Sequence, residues 1–592
     1  MEYNINKNNR KGENDYSISS LIVIIIVGII AGIPIIINGF WTVLHDSCYH
    51  SVWYINFVQQ FFKGELYPRW LMDMNYGLGS PAFFYYPPIP YYFTSIFYPF
   101  VKNDPAGWHQ LGLGSTLSLL ISGIGFWFWI KNYVSSIASL ISALFYVIAP
   151  YHLADDLYIR GAYAELWAFC WLPFIFYGID IISNNNKYGI ILVAVSYGLL
   201  VTTHLPTTLL FSAFPLLYSL IKSKYVHKYK YSLYTFISML WGISLASIYI
   251  IPALTMQKYV DIKELTNHPN LSYENNFIFN GLYFGEDKFR SDLFLHIIIT
   301  AGIGILSIII TLIQKDRSIS LLMPMLWYIN LCITIYIMTP FSKILWDYIP
   351  KLKYVQFPWR ATSILTITAS VLLAYGIQSM RKNASIYNKM LDIILLLFIG
   401  TAIWCDLNTI KRYYNRKPNS PVELLLSQQD LPEYRTIWRK TTLINITDNI
   451  NINNNIDIKN KFTDGIIPVL PRTIVKRENY AAVVLKNGSG TISIEDWQPR
   501  HINIRLNVNS LTKCEISRFY YPGYQAKING RPIEILPSNP NGFLYVVVPN
   551  GYRELDIKLS YMLPEILGII ISLLAICVMI MYYIYIRVYC KH

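Results

Sequence analysis

The chain has 592 residues, of which 54% are hydrophobic, 16% aromatic and only 14% charged, with a mean hydropathy of +0.34. Soluble domains carry about 25% charged residues, so the composition excludes an ordinary soluble protein. The net charge of +14 calls for no nucleic-acid partner, because much of it falls in short loops between apolar runs, where membrane topology accounts for it.

A bilayer core of about 30 Å takes about 20 apolar residues per helical crossing. Runs of that kind predict twelve spans, at 19–38, 110–130, 134–150, 163–182, 188–204, 205–221, 233–253, 293–313, 320–338, 360–378, 390–405 and 564–586. The first follows a polar, charged stretch, is too long for a signal peptide and lacks a small-residue cleavage site, so it is expected to stay as an anchor. Segment 82–100 is aromatic but interrupted by Pro87, Pro88 and Pro90, which predicts an interfacial or re-entrant piece.

Lysine and arginine set the orientation. Lys7, Arg10 and Lys11 precede the first span, and Lys131, Lys187, Lys222, Lys224, Lys228, Lys230, Lys315, Arg317, Arg381, Lys382, Lys389, Arg587 and Lys591 fall in alternate loops. This bias places both termini in the cytosol. Loops 39–109, 151–162, 254–292 and 339–359 and the segment 406–562 then lie outside. The expected division is a membrane domain over 1–405, an extracytoplasmic domain over 406–562 and a last helix with a cytosolic tail over 563–592.

The outer domain begins polar and basic, and an Asn-rich stretch at 445–460 reads as a loop tip. From about 463 the pattern becomes short and alternating. Strands are predicted at 491–497, 501–508, 524–528, 532–536, 543–548 and 554–559, with turns at Asn529–Gly530 and Asn550–Gly551. That spacing suggests a β-sandwich. The seven cysteines, at 48, 170, 332, 405, 514, 577 and 590, have no paired spacing, which predicts neither a disulfide framework nor a zinc site. Only Cys48 and Cys514 are expected to be exposed outside.

Four outer segments carry candidate chemistry. The first loop holds His45-Asp46-Ser47-Cys48-Tyr49-His50. Asp46 is a candidate base or metal-holding carboxylate, with His45 and His50 as further ligands; a solvated loop is the plain alternative. Next come Tyr67-Pro68-Arg69-Trp70 and Asn75-Tyr76-Gly77-Leu78-Gly79-Ser80-Pro81. Glycine and proline at this density fix a backbone path, and the aromatic faces suit sugar rings or lipid headgroups. In the third, Asp156 and Arg160 are spaced to pair on a helix. Glu165 falls at the start of an apolar span, where an ionisable group costs about 2.5–3.5 kcal/mol and usually faces a cavity or a partner. In the loop 339–360, Lys343, Lys351, Lys353 and Arg360 face a single acid, Asp347. An anionic ligand would account for that excess, and Arg360 has the planar donor fork that suits phosphate.

Asn75–Pro81 with the Tyr/Pro segment, the block from Asp156 to Glu165, Thr203-His204-Leu205-Pro206 and Phe357-Pro358-Trp359-Arg360 resemble the 6-pyruvoyl-tetrahydropterin synthase-related membrane proteins over roughly 40–405. Nothing here offers the histidine-rich zinc site of the soluble synthase in that label. The architecture is similar to that of the polytopic C-type glycosyltransferases, and Tyr520-Tyr521-Pro522-Gly523-Tyr524 is similar to the C-terminal domain of their YfhO-like branch. The resemblance implies transfer of a sugar from a polyprenyl-phosphate-linked donor to an extracytoplasmic glycan, lipid or protein acceptor. Asp46 would be the base or hold a divalent Mg or Mn ion, with His50 as a second ligand. Asp156 or Glu165 would be the second acid. Arg360 would clamp phosphate, with Lys351, Lys353, Arg160, His45, Tyr76 and His204 as further substrate-binding residues. The competing readings are a transporter or flippase for lipid-linked saccharides and a non-catalytic envelope scaffold.

Overall fold

The computed structural model describes residues 10–40, 46–101, 104, 106–267, 271–279, 288–314, 320–349, 351–380, 385–415, 431–439 and 482–589. Among them, nine helices are long and apolar enough to cross a membrane, and two bent pairs raise the number to eleven. These pairs are Lys230–Leu245 with Ser247–Thr255, bent by 73°, and Leu322–Met338 with Pro340–Tyr348, bent by 87°. The expectation of twelve also included 188–204. The helix there runs only from Tyr188 to Val201, 14 residues, which is short of a full crossing. It packs closely all the same: a Cβ on Gly198 would stand 2.8 Å from the carbonyl oxygen of Gly242, the near approach that small residues allow between membrane helices.

Two expected boundaries are corrected. Segment 151–162 is not an exposed loop. The helix Ser136–Ile148 is followed directly by a wide, π-type helix, Tyr151–Arg160, in which every residue is buried. Its periodicity differs from 3.6, so a sequence pattern tuned to ordinary helices misses it. Such turns are rare and gather at functional sites. The span expected to end at 405 belongs to a helix that continues to Tyr414. Asp406 is buried, and Arg412 ion-pairs with Asp292 at 2.6 Å on the neighbouring helix. The first loop contains an unexpected 16-residue helix, Ser47–Phe62, and the Tyr/Pro segment forms two short helices, Ala82–Tyr85 and Ile89–Ser95.

The C-terminal domain is two antiparallel sheets, not closed into a barrel. One has the order β1-β4-β8-β7 and the other β2-β3-β9-β5-β6. The strands are β1 (Val483–Leu485), β2 (Gly490–Trp497), β3 (His501–Val508), β4 (Thr512–Phe519), β5 (Tyr524–Ile528), β6 (Arg531–Ile533), β7 (Leu536–Pro537), β8 (Phe543–Val548) and β9 (Gly551–Leu559). Alternation in β3, where Ile502, Ile504, Leu506 and Val508 are buried, sets the register. Asn529 and Gly530, with φ of 47° and 79°, close a two-residue hairpin between the paired Ile528 and Arg531, as such a dipeptide favours. Asn550–Gly551 instead leads from β8 in one sheet to β9 in the other. Cys514, expected to be exposed, is buried in β4. The Asn-rich stretch 445–460 lies outside the described residues.

The glycine- and proline-rich motifs seat this domain on the membrane domain. The Phe519 amide donates to the Leu78 carbonyl at 2.8 Å, and the Tyr85 and Tyr521 hydroxyls are 2.8 Å apart. Trp70, fully buried, packs against Tyr521 and Tyr524. Gly79 sits at φ +88°, where a Cβ would come within 2.4 Å of the Trp70 ring, so only glycine fits there.

Candidate functional site

The wide-turn helix ends at Arg160, Gly161 turns the chain at φ +62°, and the next helix, Tyr163–Ser183, starts within one turn of Glu165. This places Arg160 and Glu165 side by side. Arg160 Nη1 donates to Asp156 Oδ1 at 2.5 Å and to Glu165 Oε2 at 3.0 Å. The Tyr151 hydroxyl donates to Glu165 Oε1 at 2.7 Å, and the Arg160 guanidinium lies 4.7 Å from the Trp359 ring centroid. Arg360 arrives on the short turn Pro358–Ala361, after Gln356, a non-glycine residue at φ +67°. Its Nη1 donates to the Val355 carbonyl at 2.8 Å, and its Nε stands 3.4 Å from Glu165 Oε2. Glu165 therefore bridges two arginines. Arg360 Nη2 makes no hydrogen bond among the described residues, which leaves donor capacity on the fork.

Asp46 is the residue before the helix Ser47–Phe62. Its amide donates to the Arg160 carbonyl at 3.0 Å, which ties the first loop to the arginine cluster. Its carboxylate caps nothing and has no hydrogen-bond or ion-pair partner among the described residues. One helical turn on, buried His50 is hydrogen-bonded through Nδ1 to the Tyr91 hydroxyl at 2.7 Å. Burial pushes its imidazole down to about 4, so it is neutral at physiological pH. His204 Nδ1 pairs with the Thr207 hydroxyl at 2.8 Å.

These residues share one cavity of about 1170 Å³, above the usual range of about 300–1,000 Å³ for a small-molecule site. Asp46, His50, Arg160, Glu165, His204, Lys351 and Arg360 line it. Asp156 does not; it lies behind Arg160. Lys353 does not line it either, and the Lys351 and Lys353 ammonium groups both lie near the Tyr354 ring, at 5.5 and 5.6 Å from its centroid. His45 and the side chain of Tyr76 lie outside the described residues. Leu209 and Leu254, each on a helix of the membrane domain, line the cavity and are 40% and 52% exposed, so part of its lining is aliphatic. Aromatic residues line the cavity as well, among them Tyr49, Trp53, Tyr85, Tyr86 and Tyr434. Of these only the Tyr/Pro segment drew notice in the sequence.

A divalent ion of the Mg or Mn type takes carboxylate and phosphate oxygens and keeps several waters. Asp46 offers one such carboxylate, while Glu165 is committed to Arg160, Arg360 and Tyr151. Among the described residues no group of three or more His, Cys, Asp or Glu is placed to hold a metal. The donor set fits an ion brought in with a phosphate-bearing substrate rather than one held by protein alone.

Residues 83–410 match the family described as 6-pyruvoyl-tetrahydropterin synthase related domain, a membrane protein. The chain belongs to that family. No curated protein matches it. The family segment contributes Arg160, Glu165, His204 and Arg360 to the cavity, whereas Asp46, His50, Trp53 and Tyr434 come from the flanking chain on either side.

Proposed function

We propose that the protein is a membrane glycosyltransferase that moves a sugar from a polyprenyl-phosphate-linked donor to an extracytoplasmic acceptor. The observation that carries this reading is the pairing of an unpartnered carboxylate, Asp46, with two arginines in a cavity whose lining is partly aliphatic. A polyprenyl chain fits the aliphatic lining, and its phosphate fits Arg360, with Arg160 and Lys351 nearby. Asp46 accepts the proton of the acceptor hydroxyl as the new bond forms between that oxygen and the anomeric carbon. The bond from the anomeric carbon to the donor phosphate breaks, and its electron pair stays on the phosphate oxygen, where the arginines stabilise it. A divalent ion at Asp46 would add neutralisation of the phosphate charge. The lysine and arginine bias of the loops favours an outer location for the cavity and the β-domain.

The test is transfer of labelled sugar by the purified protein in lipid. Wild type is expected to transfer, and Arg360→Lys is expected to weaken donor binding because the bidentate fork is lost. Movement of a lipid-linked saccharide across the bilayer, with no transfer from any of a broad donor set, would replace this reading with the flippase reading. A single cysteine at Ile450, labelled by an impermeant thiol reagent in intact cells, checks the orientation; labelling only after lysis reverses it.

A further inference from the structure

The cavity's aromatic residues have no part in the phosphate and proton chemistry proposed above. Tyr86 follows the one-turn helix Ala82–Tyr85 with extended backbone, φ −89° and ψ 136°. Pro87 and Pro88 come next and restrict the chain, so the ring has a fixed course. Its centroid lies 4.7 Å from that of Trp53 and 6.5 Å from that of Tyr434, and Trp53 and Tyr434 are 5.8 Å apart. The three rings come from three parts of the chain and meet at one wall of the cavity. The indole N–H of Trp53 is buried without a hydrogen-bond partner among the described residues, and the Tyr86 and Tyr434 hydroxyls make no hydrogen bond to any described residue. Asp46, Arg360, Glu165 and Arg160 all act electrostatically on the Tyr86 hydroxyl. Burial, with Asp46 adding to it, raises its pKa, so the hydroxyl keeps its proton and donates.

We propose that this wall is the acceptor subsite and that the acceptor is a glycan, held with a ring hydroxyl at Asp46 and positioned by the Tyr86 and Tyr434 hydroxyls. The inference rests on the transferase reading and narrows it. A pyranose offers an apolar C–H face to aromatic rings and hydroxyls to their polar tips, and Tyr and Trp combine those two characters. An aliphatic chain seated on these rings would leave the Tyr86 and Tyr434 hydroxyls without a partner once it displaced water from them. Leu205, Leu209, Ile250 and Leu254 also line the cavity and offer an aliphatic chain contact of its own.

The test uses the full-length protein in nanodiscs, without donor. The probes are methyl glycosides and neutral di- and trisaccharides, and binding is read by saturation-transfer NMR. At least one saccharide should bind to wild type. Tyr86→Phe and Tyr434→Phe should each weaken it about tenfold, the worth of one hydrogen bond at the upper end, with an unchanged thermal midpoint. In the transfer assay Tyr86→Phe should raise the acceptor KM and leave the donor KM alone, a split that mere loosening of the fold would not give. Transfer onto a lipid or peptide acceptor, with no saccharide bound, overturns the glycan assignment and leaves the transferase reading standing. Saccharide binding with no transfer does the reverse. Neither binding nor transfer overturns both.

Discussion

Arg69 and Arg160 are both almost fully buried and both pair with acids, yet the sites around them differ in what is left over. Arg69 Nη1 stands 3.2 Å from Glu565 Oε1, and its Nη2 donates to the Ile248 carbonyl at 2.7 Å. Arg500, from the β-domain, lies 3.7 Å from both Glu65 and Glu565. Two arginines and two acids balance, and they tie together the first loop, a bent helix pair, the β-domain and the last helix. Around Arg160, by contrast, Asp156 and Glu165 pair with Arg160, and Glu165 also with Arg360, while Asp46 lines a cavity and has no ion-pair partner among the described residues. Burial and ion pairing are common to both arginines; the unpaired carboxylate beside a cavity is what separates them.

The sharpest way to break this comparison is to remove each charge and see what is lost. Asp46→Asn keeps the size and removes the basicity. It is expected to lower sugar transfer by about 10²–10⁴-fold with the thermal midpoint unchanged, because no partner is deprived. Wild-type-like transfer by this variant would take Asp46 out of the mechanism.

Arg69→Met should show the opposite profile. It removes the nearer of the two arginines on Glu565, leaving Arg500 at 3.7 Å, so the loss should approach but not reach the about 3–5 kcal/mol of a buried pair broken from one side. The readout is the unfolding midpoint in detergent, together with protease access to the β-domain. Replacing both partners, as Arg69→Met with Glu565→Leu, should recover much of the loss. A double variant as unstable as the single one would show that Arg69 acts through packing on Tyr67, whose ring lies 4.0 Å from it, rather than through charge.

The charges of the site were legible in the sequence because ionisable residues at the edges of apolar runs stand out against their surroundings. Asp46, Glu165 and Arg360 could be placed at one membrane level before any contact was known. Tyr86 and Tyr434 could not be picked out, because one cavity tyrosine has no signature in a chain with 48 of them. In the β-domain, strands with clean alternation such as β3 were visible. β4 was not, since all but one of its residues are buried and the period-2 signal vanishes. The glycine and proline run at 75–81 announced a fixed backbone path but not its destination, which includes Phe519 of the β-domain.

A smaller effect comes from pH. Burial pushes the Glu65 carboxyl up from 4.5 to about 7 in the folded protein, against the opposing pull of Arg500. The folded state therefore binds more protons than the unfolded state between these values. The stability linked to Glu65 is present in full below about 4.5 and is lost as pH rises through about 7, by up to about 3 kcal/mol. Glu65→Gln, which resembles the protonated form, should flatten this part of the stability profile.

The smallest expected effect separates the socket of the β-domain from its free edge. Gly79 and Gly530 both hold positive φ, at 88° and 79°, so alanine at either position carries backbone strain of about 1–2 kcal/mol. At Gly530 a Cβ would meet nothing within 4 Å, whereas at Gly79 it would meet the Trp70 ring at 2.4 Å. Trp70 is itself held against Tyr521 and Tyr524 and has little room to retreat. Gly79→Ala should therefore cost a further 1–3 kcal/mol, roughly, from overpacking. It should also loosen the β-domain, measured as faster proteolysis between the last two spans, while Gly530→Ala leaves that rate alone. Equal losses at the two positions would mean that Trp70 yields, and that the socket is held mainly by the Arg69 and Arg500 ion pairs.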